Sequence, residues 1–226
     1  MANIILNLDQ EDFRSNEAYK TLRTSVEFSG PDNRVLSFTS CTPNEGKTTV
    51  SLHLAKSLAD AGKKVLFVDA DMRKSVLYAK YGRGLKIKGL SHFLSGQAEF
   101  RDVLNKTEYE GLSLIFAGPV PPNPAELLGG KKFESFLTAA RNHYDYVIVD
   151  TPPVGSVIDG AIVGKRCDSI ILIIKANTIS RKFVKATKEQ LEQLGCKILG
   201  VVLNEVDLKQ NKYYGKYYGK YYGNYK

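Results

Sequence analysis

"SCTPNEGKTT" (residues 40–49) follows the apolar run "RVLSFTSC" (34–41) and opens a helical stretch (46–62). The phosphate-loop pattern is G-x-x-x-x-G-K-[ST], and Gly46, Lys47 and Thr48 match it, with Cys41 standing at the first glycine position. A loop that feeds a helix N-terminus points several backbone N–H groups at an anion, and the helix dipole adds to the attraction. The candidate nucleotide-binding residues are therefore Pro43, Asn44, Glu45, Gly46, Lys47, Thr48 and Thr49. Gly46 lets the backbone approach phosphate closely, Lys47 reaches the β- and γ-phosphates, and Thr48 offers a hydroxyl to Mg²⁺. ATP and Mg²⁺ are the expected cofactors.

Two further strand ends carry carboxylates. "VLFVDADMRKS" (65–75) places Asp69 and Asp71 two residues apart, on one side of the strand end. Two close anions are costly without a cation, and nucleotide-bound Mg²⁺ supplies one. "YVIVDTPP" (146–153) ends an apolar strand on Asp150, which can hold the metal directly or through water. Thr48, Asp69 and Asp150 are the candidate metal ligands; Lys47, Asp69 and Asp71 are the candidate catalytic residues. His53 reads as a packing residue in the helix after the loop, His92 and His143 lack metal-like partners in the sequence, and Cys41 reads as a small buried residue.

Outward from these motifs, strands are expected at 34–41, 64–71, 112–118, 145–151, 168–176 and 197–204. Helices are expected at 46–62, 75–81, 124–142, 156–166 and 180–194. Alternation of near-continuous apolar strands with helices predicts an α/β fold: a doubly wound, mostly parallel sheet of P-loop NTPase type, with helices on both faces. Three segments follow: an N-terminal helical segment (1–33), a P-loop domain (34–207) and a tail (208–226). In the first, Phe13, Tyr19, Leu22 and Val26 share one helical stripe. That face packs on its own domain or docks on a neighbouring subunit.

Three cysteines without paired spacings point to a reducing, cytosolic compartment. The N-terminus lacks the pattern of a signal peptide, and the longest apolar run, Ile170 to Ile174, is far short of the ~18–20 residues of a membrane span. Removing five tail lysines from a net charge of +8 leaves about +3 for the body, which argues against nucleic acid as a partner. The basic residues Arg73, Lys74, Lys80, Arg83, Lys86 and Lys88 read as a solvated face, with an acidic partner or a phosphorylated tail as the alternative. The tail, "NKYYGKYYGKYYGNYK" (211–226), holds Tyr213, Tyr214, Tyr217, Tyr218, Tyr221, Tyr222 and Tyr225, with a glycine every four residues and no aliphatic side chain. Such a segment is expected to be disordered and accessible.

Together, "SCTPNEGKTT", "VLFVDADMRKS", "YVIVDTPPV" and the tyrosine cluster resemble the bacterial tyrosine kinases of capsule and exopolysaccharide synthesis, within the MinD/ParA-like class of P-loop proteins. "GLSHFLSG" (89–96), "AGPVPPNPAELL" (117–128) and "LGVVLNEVD" (199–207) are similar to the same family, so the resemblance covers nearly the whole chain. It implies that Asp69 and Asp71 form the family's second Walker motif, that Asp150 is Walker B, and that the seven tail tyrosines are autophosphorylation sites. It implies Glu17, Lys20 and Arg23 as ring-assembly residues, with Lys20 where the family carries an arginine that could form a two-pronged contact. It also implies a membrane-spanning adaptor of the polysaccharide co-polymerase type, a ring of identical subunits, a tyrosine phosphatase as partner, and a cytoplasmic location at the inner face of the plasma membrane. The MinD/ParA lysine early in the loop is replaced by Thr42, which fits the kinase branch.

The implied reaction transfers the γ-phosphoryl group of ATP to a tail phenol through a loose transition state, where positioning and charge neutralisation dominate. The phenol enters protonated at a pKa of about 10, and Asp69 or Asp71 accepts its proton late. Nineteen tail residues extend roughly 60 Å at ~3.3 Å each, enough for the chain's own site or a neighbour's. Each phosphate adds roughly −1.5 to −2 charge, so about four reverse the tail's sign, expel it from the site and loosen assembly. The alternative is a nucleotide-controlled assembly switch of MinD/ParA type, cycling on a membrane partner without kinase activity.

Overall fold

The computed structural model describes residues 2–8 and 12–207; the tyrosine tail, 208–226, lies outside the described residues. Among the described residues eight strands form one sheet: β1 (Asn3–Ile4), β2 (Val35–Ser40), β3 (Val65–Asp69), β4 (Asn105–Thr107), β5 (Leu112–Ile115), β6 (Tyr146–Asp150), β7 (Ser169–Lys175) and β8 (Ile198–Asn204). Their order is β1-β4-β5-β3-β6-β2-β7-β8. All pairings are parallel except β4 with β5. The six strands expected from sequence are present, each trimmed by a residue or more. The edge strand β1 and its neighbour β4 were not expected: at two and three residues they are too short to show a period.

Alternation along the strands sorts side chains to two cores. Leu36, Phe38, Phe67, Ile148 and Ile171 face one cluster, shared with helix α2 (Lys47–Asp60). Val35, Leu66, Val68, Val147 and Val149 face the other, which carries Phe133, Phe136 and Leu137 of helix α6 (Lys131–His143). Helices thus cover both faces, as a parallel sheet requires. Helix α1 (Phe13–Glu27) starts on Asp12, whose carboxylate accepts the Ser15 N–H at 2.7 Å. It packs on α2, where Tyr19 stacks on His53 at 4.7 Å between ring centroids. Tyr19, Leu22 and Val26 of the stripe therefore lie on their own domain, whereas Phe13 is exposed.

Short helices α3 (Leu90–Leu94) and α4 (Phe100–Val103) precede β4. The helix expected over 124–142 is two helices, α5 (Pro124–Gly129) and α6, divided where Gly130 takes an extended conformation (ψ 161°). The 75–81 stretch closes with a single π-helical turn, Tyr78–Gly82. Helices α7 (Asp159–Gly164) and α8 (Arg181–Gln193) follow β6 and β7. Gly89 and Gly118 lie against each other: a Cβ at Gly89 would stand 2.3 Å from the Gly118 nitrogen. That approach lets Leu90 and Ser91 donate to the carbonyls of Phe116 and Ala117 at 2.7 and 2.9 Å, which joins the "GLSHFLSG" and "AGPVPPNP" motifs.

Candidate active site

Parallel strands bring their carboxyl ends to one edge, and the site lies there. The loop from β2 runs into α2 through Asn44 (φ 63°) and Gly46 (φ 85°), both left-handed. Gly46 also has no room for a side chain: a Cβ would stand 2.1 Å from Nδ2 of Asn204, which itself donates to the Glu45 carbonyl at 3.0 Å. Gly46 is the N-cap of α2 and brings no side-chain cap hydrogen bond, so the N–H groups of the first turn are left for an external acceptor.

Lys47 is buried, with Nζ 3.9 Å from Oδ2 of Asp71. The Thr48 hydroxyl donates to Oδ2 of Asp150 at 2.5 Å. Asp69 and Asp150 are direct register partners on β3 and β6, and the Ala70 N–H donates to the Asp150 carbonyl at 2.8 Å. Asp69 accepts from the Ser75 hydroxyl at 2.5 Å and from the Asp71 N–H at 3.1 Å. The lysine-bearing turn and the three aspartates of the β3 and β6 ends thus converge at one edge. Thr151 holds β6 to β2 through its hydroxyl and N–H, both donated to the Phe38 carbonyl at 2.8 and 3.0 Å.

Burial pushes the Asp69 carboxyl up to about 8, and the neighbouring charges of Asp150 and Asp71 add to the rise. Burial likewise pushes Asp150 up to about 6, against the pull of Lys47 and Thr48. Oδ1 of Asp150 is buried without a hydrogen-bond partner among the described residues. An orphaned carboxylate oxygen, two crowded acids and an uncapped helix start could together hold a divalent cation shared with phosphates. No group of three or more His, Cys, Asp or Glu among the described residues could hold a metal ion. Mg²⁺ needs only one or two carboxylates and completes its shell with phosphate and water.

Glu45 does not face outward with the rest of the loop. The residue is 1% exposed and its carboxylate braces the loop from inside, accepting the Cys41 N–H at 3.1 Å and the Thr42 hydroxyl at 2.8 Å. Periodicity carries no signal for this, nor for Asn204 or Ser75. A cleft of about 550 Å³ opens beside Gly46 and Thr49, between α1 and the end of β8, with Tyr19, Leu22, Val50 and Val202 in its wall. Of the three ring-assembly candidates, Glu17 and Lys20 pair with each other at 2.7 Å. Arg23 turns inward and donates to the Ser57 carbonyl at 2.9 Å. The seven tail tyrosines lie outside the described residues.

Residues 34–200 match the family described as AAA domain. Over 194 residues the chain is 43% identical to the tyrosine-protein kinase CpsD of Streptococcus agalactiae, covering 86% of this chain and 84% of that protein. The chain belongs to the bacterial tyrosine kinases. The kinase domain of Escherichia coli tyrosine kinase ETK superposes with a TM-score of 0.80 at 34% identity, over 91% of this chain and 89% of that one. The chimerical protein CapA2B2 gives 0.81 at 32%, over 91% and 93%. The likeness extends to MinD of Pyrococcus horikoshii complexed with Mg-ADP, at 0.64 and 25%, over 75% and 69%. This kinase therefore sits within the MinD/ParA-like class. No helix among its described residues is long and apolar enough to cross a membrane.

Proposed function

We propose that this kinase transfers the γ-phosphoryl group of ATP to tyrosines of its own tail and thereby regulates the synthesis and export of a capsular or extracellular polysaccharide. The observation that carries the reading is the convergence of Lys47, Thr48, Asp71 and the Asp69–Asp150 register pair at the mouth of one phosphate loop. The loop 43–49 would hold the phosphates through its N–H groups, and the cleft beside Gly46 would take the purine. Thr48, Asp69 and Asp150 would hold Mg²⁺, which neutralises charge across the β- and γ-phosphates when bound. Lys47, already turned toward Asp71, stabilises negative charge that grows on the leaving oxygen. Asp69 or Asp71 takes the phenol proton. The O–P bond to the tyrosine forms as the bond to ADP breaks.

The domain division places assembly in 1–33, chemistry in 34–207 and substrate in 208–226. Exposed Phe13 and Phe28 at the two ends of α1 support a subunit contact through that helix, together with Glu17 and Lys20. The partners proposed are a second copy of the chain, a membrane-spanning adaptor that holds the kinase at the inner face of the plasma membrane, and a tyrosine phosphatase that resets the tail.

Incubation of the purified chain with ATP and Mg²⁺ followed by intact-mass measurement tests the reading. Mass steps of one phosphate each, absent in Lys47→Met, are expected. Phosphate release with no mass step would instead identify an ATP-driven assembly switch.

A further inference from the structure

Between Asp71 and α3 the chain crosses the active-site edge of the sheet through residues 73–88, which hold six basic side chains and no acidic one. Residues 1–207 carry about +3 in all, so this one segment supplies more than the whole excess and the rest is about −3. The segment is firmly anchored. Leu77 is buried in the core, the Tyr78 ring meets Phe116 edge-on at 5.9 Å, and the Tyr78 N–H donates to the Ser75 hydroxyl at 3.0 Å.

Its cations are unevenly committed. Arg73 binds Asp159, Lys88 stands 3.6 Å from Asp102, and Lys80 lies over the Tyr81 ring at 5.0 Å. Lys74, Arg83 and Lys86 form no ion pair among the described residues. Val76, at 57% exposure, and Leu85, at 42%, stand among them. Like charges gathered on an anchored surface concentrate anions there, and the interspersed apolar groups offer contact to rings.

We propose that this segment is the docking surface for the phosphorylated tail, 208–226, which it receives as the product leaves the phosphate loop. The inference rests on the reading that the chain phosphorylates its own tail. Charge complementarity selects this occupant. Unmodified, the tail carries five lysines and no acid, and the segment repels it. With seven phosphates at roughly −1.5 to −2 each, the same tail is strongly negative and is drawn in. Geometry allows the contact. Strands β3 and β8 are four places apart in the sheet and end at the same edge, a separation of about 19 Å at ~4.8 Å per strand. The nineteen residues after Asp207 can reach roughly 60 Å. Docking beside Asp71 keeps the spent tail near the site yet off the phosphate loop, which stays open to fresh nucleotide.

The test uses two synthetic peptides of sequence 208–226, one unmodified and one with phosphotyrosine at Tyr217, Tyr218, Tyr221 and Tyr222. Each is titrated into the full, dephosphorylated chain and followed by fluorescence anisotropy. The phosphopeptide is expected to bind at least tenfold more tightly than the unmodified one and to weaken from 50 to 200 mM salt. It should keep its affinity under saturating Mg-ADP, and lose at least tenfold against R83E/K86E. A photo-crosslinker on the peptide should attach within 74–88, a readout that does not depend on the variant. Loss of binding under Mg-ADP, attachment outside 74–88, or equal affinity for a glutamate peptide of matching charge would each overturn the proposal. Because the phosphates are placed by synthesis, this result is independent of whether the chain phosphorylates itself, which the mass measurement decides.

Discussion

Arg73 closes a two-pronged ion pair on Asp159, Nε to Oδ2 at 2.7 Å and Nη2 to Oδ1 at 3.1 Å, across 86 residues of sequence. It ties the loop after β3, which carries Asp71, to the first turn of α7 beyond Asp150. The two ends differ in environment: the Asp159 side chain is 0% exposed and that of Arg73 41%.

That asymmetry sets the first prediction. Arg73→Ala leaves a buried carboxylate without its partner, whereas Asp159→Asn leaves a guanidinium that can turn to water. Arg73→Ala should therefore cost about 2–3 kcal/mol of stability and Asp159→Asn less. Denaturant unfolding of both variants and of the double variant measures the order. A larger loss in Asp159→Asn would refute the account.

The second prediction concerns pH and metal. Asp69 and Asp150 have raised folded-state pKa values, about 8 and about 6. A carboxyl whose pKa rises on folding lends its stability below its unfolded value, ~4, and loses it as pH climbs through the folded one. The ligand-free protein should therefore lose stability from about pH 4 to pH 8. A cation shared by the carboxylates reverses the penalty, so Mg-ADP should raise the melting temperature more at pH 8 than at pH 6. Asp69→Asn should flatten both trends. A Mg-ADP shift that is the same at both pH values would sink the idea.

The acid limb has a different origin. Asp168 is partly buried, which by itself would raise its carboxyl, but Arg141 and the N–H groups of Val35 and Arg34 outweigh burial and hold it below the ordinary value. Those contacts are 2.5 to 2.9 Å long. A depressed carboxyl contributes fully above its unfolded pKa and loses that contribution as pH falls through the folded one. Asp168→Asn should cost about 2 kcal/mol near pH 7 and make unfolding less steep below about pH 4. Parallel acid titrations by circular dichroism provide the comparison.

Gly46→Ala should abolish nucleotide binding for two separable reasons. The residue is left-handed, and its Cβ would strike Asn204. Asn204→Ala in the same chain removes the collision but leaves the backbone strain of roughly 1–2 kcal/mol. The double variant should therefore regain part of the ADP affinity and not all of it, as calorimetry would show. Complete recovery would place the whole effect in the collision.

The strands and the loop were legible in the sequence because their signals are local. A β-branched run, a glycine–lysine–threonine turn and an aspartate at a strand end each fit within ten residues. What the sequence hid is local backbone geometry and the direction in which single side chains turn. Helix 124–142 reads as continuous by pattern, yet Gly130 divides it. Glu45 belongs to the nucleotide loop by position, yet its carboxylate turns inward to Cys41 and Thr42. Arg23 suits an outward contact by spacing, yet Ser57 on α2 takes its guanidinium. A backbone angle decides the first case, a turn of the loop on itself the second, and packing against α2 the third, and no period in the chain encodes any of them.

Thr48 and Asp150 are 102 residues apart in sequence and share one hydrogen bond, and β2 lies between two strands that are made much later. At ~5–20 residues per second on the ribosome, the half-built chain waits on the order of 5–20 s for the strand that completes its phosphate loop. During that interval the nascent segment exposes an unpartnered apolar strand, and the Thr48 hydroxyl lacks its acceptor. Newly made chains can therefore complete that hydrogen bond only after residue 150 has left the exit tunnel.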